Sequence, residues 1–205
     1  MPKHNTYGNF KPLGKNKEKK QIILCNTSRE VGEYLTSLKF RYNGKYDKIP
    51  NFIISREGEV IQTLDEKGYT KYYGDEFIDK NSIFISLENL GWLEKKPLTQ
   101  DYITWNGSIY KGKVFEKKWR DYFFWEPYNE EQILSTAKLC SDLCETFGIE
   151  KLCVGHNTKV EGMKRFEGIS SRSNYDTRFT DLSPSFDFET LIKNIENEQY
   201  TQREI

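Results

Sequence analysis

Four consecutive apolar residues, Ile22-Ile23-Leu24-Cys25, follow a polar, lysine-rich stretch and constrain the chain more than any other feature. Their length and β-branched content are those of a buried strand. Helical spacing comes next. Val31, Tyr34, Leu35 and Leu38 lie on one face, Ser28 stands where an N-cap belongs, and Asn43-Gly44 stops the pattern after about Arg41. A buried strand running into an amphipathic helix predicts an α/β domain.

Later segments extend that pattern. The runs 51–55 and 59–64 read as a hairpin joined by Arg56-Glu57-Gly58, where glycine can adopt the positive φ of a tight turn. Residues 82–89 alternate Ile83, Ile85 and Leu87 with Ser82, Phe84, Ser86 and Glu88, so Glu88 shares a face with Ser86. Asn129 opens a long helix whose stripe is Ile133, Ala137, Cys140, Cys144 and Phe147, ended by Gly148. Lys151–Val154 predicts a short buried strand delivering Gly155-His156 at its end, and a helix over 188–198 closes the chain. The expected organisation is a basic flexible or docking arm (1–20), one domain (21–198) carrying an aromatic-rich insert (92–127) with a hairpin at Asn106-Gly107, and a tail (199–205).

Charge and composition exclude several classes. Lys plus Arg and Asp plus Glu both number 31 among 205 residues, so nothing global draws the chain to nucleic acid or an acidic membrane. No apolar run approaches the roughly 18 residues of a spanning helix. Met1–Gln21 lacks the apolar core of a secretory signal, so the expected location is the producing cell's cytoplasm or a phage particle. The arm could dock on a phage or host protein. Of four cysteines, Cys140 and Cys144 fall on the buried stripe of one helix, and no disulfide framework is expected.

Few residues are available for chemistry. There are two histidines, His4 in the arm and His156 after a strand and a glycine. Asp181 lies in Thr180-Asp181-Leu182-Ser183-Pro184-Ser185-Phe186-Asp187, where Asp and Ser before Pro can also simply turn the chain. Trp105 and Trp119 of the insert can stack on sugar faces or pack a local core, and both readings stand open. Arg172 and Arg178 are candidate electrostatic groups.

The order of these pieces resembles the type-2 N-acetylmuramoyl-L-alanine amidase family, which includes phage lysozyme-type amidases and peptidoglycan recognition proteins. The residues carrying the resemblance are Cys25-Asn26-Thr27-Ser28, the hairpin from Asn51, Asn81-Ser82 through Gly91, Tyr128-Asn129, Val154-Gly155-His156-Asn157, Gly168-Ile169, Ser173-Asn174 and 181–187. The resemblance implies a central mixed β-sheet flanked by helices and a groove holding one zinc ion. It assigns the metal to Cys25, His156 and Asp181, with the third ligand varying between Asp and Cys in the family. Zinc would polarise the amide carbonyl of muramoyl-L-alanine and activate water. This chain departs from the pattern: Cys25 replaces a usual His, Pro50 and Phe179 replace two usual helpers, and no His stands near Tyr72-Tyr73-Gly74. Glu88 becomes the candidate general base, and Arg172, with Trp105 and Trp119, the candidate substrate contacts. The implied function is zinc-dependent hydrolysis of peptidoglycan. The alternative is a catalytically degenerate relative that binds peptidoglycan or serves as a structural module.

Overall fold

The computed structural model describes residues 5–8 and 10–201. In chain order the first half contains β1 (Asn5–Thr6), β2 (Gly14–Lys15), β3 (Gln21–Asn26), α1 (Val31–Phe40), β4 (Phe52–Ile54), β5 (Val60–Gln62), β6 (Gly68–Tyr69), α2 (Glu76–Asn81) and β7 (Ser82–Leu87). The second half contains β8 (Trp92–Lys95), β9 (Tyr102–Thr104), β10 (Ile109–Tyr110), β11 (Phe115–Trp119), β12 (Tyr122–Trp125), α3 (Glu130–Phe147), β13 (Gly168–Ser171) and α4 (Phe188–Thr201). The main sheet has the order β1-β5-β4-β7-β3-β13. It is mixed: β4 and β5 pair antiparallel, and every other neighbour is parallel.

Strand alternation sorts the core into two faces. Behind the sheet, Ile22, Leu24, Ile54, Ile83, Ile85 and Leu87 pack against Ile133, Ala137, Cys140 and Leu143 of α3 and Leu191 and Ile195 of α4. Each such fully buried aliphatic side chain contributes about 1.5–3 kcal/mol relative to exposure. In front, Ile53 and Ile61 meet Leu35 and Leu38 of α1, while Ile23, Cys25 and Phe84 meet Tyr72 and Ile78. The front face therefore leaves the end of β3 uncovered by any long helix, and the groove lies there.

Several local expectations change. Ser28 does not cap α1; it sits at φ 53° and donates to Asn26 Oδ1 at 2.9 Å. Glu88 performs that role across the sheet, its Oε1 accepting the Val31 N–H at 2.9 Å. Gly58 turns the β4–β5 hairpin at φ +81°, and a Cβ there would stand 2.8 Å from the Glu131 carbonyl oxygen. Residues 151–154 form no extended strand, only a parallel bridge from Cys153 to Ile169. The insert is a sheet of its own, ordered β10-β9-β8-β12-β11, with the expected hairpin between β9 and β10.

The lysine-rich segment before β3 lies against the domain over its described residues. β1 pairs with β5, β2 with β6, and Lys19 Nζ donates to the carbonyls of Gly68, Lys80 and Ser82 at 3.3, 3.1 and 2.9 Å. Its neighbour Gln21 binds the carbonyls of Met163, Lys164 and Phe166, anchoring the loop that leads into β13. No helix among the described residues is long and apolar enough to cross a membrane.

Candidate functional site

Parallel strands β3, β7 and β13 end at one edge of the sheet, where a crevice forms outside the carboxyl ends of the strands. Register decides which side chains meet there: Cys25 stands opposite Ser86, and Leu24 opposite Ser171. The residue that β13 delivers beside Cys25 is therefore Arg172, opening a 3₁₀ turn over Arg172–Asn174. Ser171 closes this turn with a capping box, its backbone N–H bound to Asn174 Oδ1 at 2.7 Å.

Arg172 and Asp181 form the centre of the site. Nε reaches Asp181 Oδ2 at 2.9 Å and Oδ1 at 3.3 Å, and Nη2 reaches Oδ1 at 3.1 Å. Asp181 is 2% exposed, so this bidentate pair neutralises a carboxylate that could not stand alone in the interior. Burial opposes the guanidinium's charge, but its neighbours together, Asp181 foremost, outweigh it and hold Arg172 firmly protonated. The guanidinium lies 4.3 Å from the Phe179 ring centre and 5.9 Å from that of Tyr72.

Cys25 is completely buried, and that burial pushes its thiol far above the ordinary range, only partly offset by Arg172. Around it runs a hydroxyl chain, Tyr34 to Tyr72 at 3.2 Å and Tyr72 to Ser86 at 2.6 Å. Burial likewise raises Tyr34 to about 12, so this chain consists of neutral donors and acceptors at neutral pH.

The three residues assigned to zinc are not brought together. His156 follows the outer Cys153–Ile169 bridge, not the strand beside β3; it is exposed, and its Nδ1 accepts the Thr158 N–H at 3.2 Å. Among the described residues no group of three His, Cys, Asp or Glu side chains could hold a metal ion. His4 lies outside the described residues. With His156 apart from the groove and both Asp181 oxygens already gripped by a guanidinium, the donor set as folded does not fit a zinc ion.

Glu88 also stands elsewhere. Its carboxylate accepts the backbone N–H groups of Val31 (2.9 Å) and Arg56 (3.1 Å) and Arg56 Nη1 (2.6 Å). Arg56 further pairs with Glu30 and with buried Glu126. This cluster ties the β4–β5 turn to α1 and to the end of β12, and Glu88 is engaged there as a structural acceptor.

Two insert residues separate. Trp105 leans over the groove, its Nε1 donating to the Ser28 carbonyl at 2.5 Å and its ring 4.6 Å from the Arg29 guanidinium. Trp119 instead packs on Trp125 at 5.5 Å within the insert. Beside it, Arg120 donates to the carbonyls of Thr177 and Phe179, clasping the loop that carries Asp181. The insert thus touches the groove through Trp105 and the Asp181 loop through Arg120. Within the groove lies a cavity of about 340 Å³ lined by Tyr34, Tyr46, Tyr72, Trp105, Arg172 and Phe179 among others. Tyr34, Tyr46 and Tyr72 are groove residues that the sequence reading did not single out; their only signal is tyrosine density in segments flanking the site.

Residues 14–168 match the family model described as N-acetylmuramoyl-L-alanine amidase. No curated protein matches the chain significantly. Among solved structures, the chain is similar to the N-acetylmuramoyl-L-alanine amidase LysC from Clostridium intestinale URNW, with TM-score 0.57 and 10% identity over 96% of this chain and 99% of that one. The hydrolase AmiA of Staphylococcus aureus, solved with its ligand, gives TM-score 0.59 and 10% identity over 98% and 85% of the two chains. The N-acetylmuramyl-L-alanine amidase AmiD from E. coli, in complex with the substrate anhydro-N-acetylmuramic acid-L-Ala-D-γ-Glu-L-Lys, gives 0.54 and 15% over 91% and 60%. At these identities the likeness establishes a shared fold.

Proposed function

Because the chain belongs to the N-acetylmuramoyl-L-alanine amidase family, whose model it matches over residues 14–168, we propose that it recognises muramoyl-peptide segments of peptidoglycan in the groove beside Arg172, without a metal ion. One observation carries this reading: both carboxylate oxygens of Asp181 are held by Arg172. A fixed guanidinium thus stands beside the carboxylate to which the family resemblance assigns zinc. Aromatic faces at Trp105, Tyr46 and Phe179 offer the apolar, stacking walls that sugar rings and peptide stems favour. The substrate complex of the E. coli neighbour supports this class of ligand: there it is an anhydro-N-acetylmuramic acid bearing the peptide L-Ala-D-γ-Glu-L-Lys.

Zinc-dependent hydrolysis, the other reading open to a family member, requires more than loading an ion. Asp181 would have to leave Arg172, and His156 would have to move to the groove. Glu88, the candidate general base, is committed to Val31 and Arg56 and not to the groove.

The test combines elemental analysis of chain purified without chelator, pelleting with purified sacculi, and chromatography of muropeptides after prolonged incubation. Zinc well below one ion per chain, co-sedimentation and unchanged muropeptides are expected. Stoichiometric zinc together with released peptide stems would establish hydrolysis instead.

A further inference from the structure

The groove has a charge pattern that peptidoglycan recognition alone does not demand. Its cavity is lined by four cationic side chains, Arg29, Arg41, Lys48 and Arg172, and by no carboxylate. The whole chain carries equal numbers of acids and bases, 31 of each, so this is local segregation and not a basic surface at large. Asp181, behind the wall, offsets Arg172. The other three have no carboxylate within ion-pair distance among the described residues, whereas nearby Asp47 pairs with Lys71, outside the cavity, at 3.4 Å.

Each guanidinium is also seated. Arg29 lies 4.6 Å from the Trp105 ring, Arg41 4.9 Å from Tyr46, and Arg172 4.3 Å from Phe179. All three rings line the same cavity. Stacking of this kind fixes the plane of a guanidinium while leaving its edge N–H groups free to donate. For Arg172 the split is explicit: Nε and Nη2 are spent on Asp181, and Nη1 makes no hydrogen bond among the described residues. Like charges gathered in a confined, partly desolvated space repel one another when the cavity is empty. An anion entering it relieves that repulsion and gains charge-assisted hydrogen bonds.

We propose that this cavity is an oxyanion receptor for a ligand carrying at least two negative charges, with Arg29, Arg41 and Lys48 as its charge-recognising groups and Arg172 as the fixed cation at its floor. The shared chemistry is carboxylate or phosphate oxygen. Two sources present it: the free carboxyl groups of a peptidoglycan peptide stem, and a phosphoryl compound. The first source rests on the recognition reading given above; the receptor itself does not.

Calorimetric titration with three probes separates these cases: a muramoyl tripeptide with free carboxyl groups, the same compound with those groups amidated, and inorganic pyrophosphate. Each is titrated into wild type and into Arg41→Gln and Lys48→Gln. Both residues are exposed, and near-ultraviolet circular dichroism verifies the fold of each variant. The expected result is binding of the free tripeptide that weakens about tenfold in each variant, as losing one charge-assisted contact predicts, and about a hundredfold or more on amidation, which removes at least two. Raising salt from 50 to 500 mM should weaken it further. Pyrophosphate binding with the same variant and salt dependence, and no tripeptide binding, supports the receptor but overturns peptidoglycan recognition. Tripeptide binding indifferent to amidation, salt and both substitutions overturns the receptor and leaves recognition standing. Binding of none of the three overturns both.

Discussion

Arg172 and Asp181, nine residues apart in sequence, share three hydrogen bonds of 2.9 to 3.3 Å inside the protein, and this pair stands next to Cys25, the position to which the family resemblance assigns a histidine. A buried carboxylate tolerates its place only while the guanidinium stays. Arg172→Ala is therefore expected to cost about 3–5 kcal/mol, because it strands Asp181 without a partner. The double substitution Arg172→Met with Asp181→Leu should recover most of that loss, since removing both charges leaves an apolar contact. Urea unfolding of wild type and the two variants measures this. A double variant as unstable as the single one would refute the pairing.

Glu88 and Arg56 predict a different response. Glu88→Ala removes the acceptor at the first turn of α1 and one of the carboxylates facing Arg56, so a loss of about 2–4 kcal/mol is expected. Glu88→Gln keeps an oxygen for the Val31 N–H and should lose roughly half as much. Neither should change affinity for sacculi per folded molecule, because Glu88 does not line the groove. A large affinity change with an intact fold would return Glu88 to the site.

The main sheet was legible because its strands are short, apolar and separated by strong punctuation; 21–26, 52–54 and 82–87 fall where the apolar runs and the alternation place them. The site was less so. Val154-Gly155-His156 has the appearance of a strand end delivering a ligand, but Lys151–Val154 makes only a single bridge outside β13. The strand that actually flanks β3, Gly168-Ile169-Ser170-Ser171, is small and half polar, and its apolar signal is one residue. Its burial comes from tertiary partners, Gln21 and the 163–166 loop, that no local pattern reveals. Arg172 was visible as a cation and Asp181 as a candidate ligand, but not their pairing, since a contact between separate loops leaves no periodicity. Similarly, Ser28 satisfies every local rule for a cap and loses to a carboxylate from another strand.

Glu126 supplies a pH test of the Arg56 cluster. Burial raises its pKa above the ordinary 4.5, against the Leu90 N–H and Arg56, which lower it. The folded chain therefore holds this proton more tightly than the unfolded chain. Its contribution to stability is complete below about pH 4.5 and is lost as pH rises through the folded value. Glu126→Gln cannot titrate, so wild-type stability minus variant stability should decline as pH rises from 4.5 toward 7. Urea midpoints at half-unit intervals read the difference directly; a gap that widens in favour of wild type would contradict the assignment.

Gly58 tests the hairpin that positions Arg56. Its φ of +81° disfavours any Cβ, and an added methyl would meet the Glu131 carbonyl at 2.8 Å and Ser135 Oγ at 2.6 Å. Serine can rotate away, but the helix backbone of α3 cannot. Gly58→Ala should therefore cost about 2 kcal/mol or more, beyond the cost of positive φ alone. Pairing it with Ser135→Ala should restore little, because the backbone contact remains.

The two tryptophans of the insert give the sharpest contrast between groove and scaffold. Trp105 contributes a ring beneath Arg29 and a hydrogen bond to the Ser28 carbonyl, both at the groove, whereas Trp119 packs on Trp125 and beneath Arg120. Trp105→Phe should keep part of the stacking surface and lose the hydrogen bond, weakening sacculus binding severalfold, and Trp105→Ala should lose both and weaken it by an order of magnitude or more. Trp119→Ala should instead lower the melting temperature and leave binding per folded molecule near wild type, provided the Arg120 clasp on Thr177 and Phe179 survives. Arg120→Ala separates these contributions: it removes the clasp, not the ring, and should loosen the loop carrying Asp181. Equal binding losses for Trp105→Ala and Trp119→Ala would mean that the insert acts on the ligand as a single surface, and that the groove extends beyond the cavity bounded by Trp105.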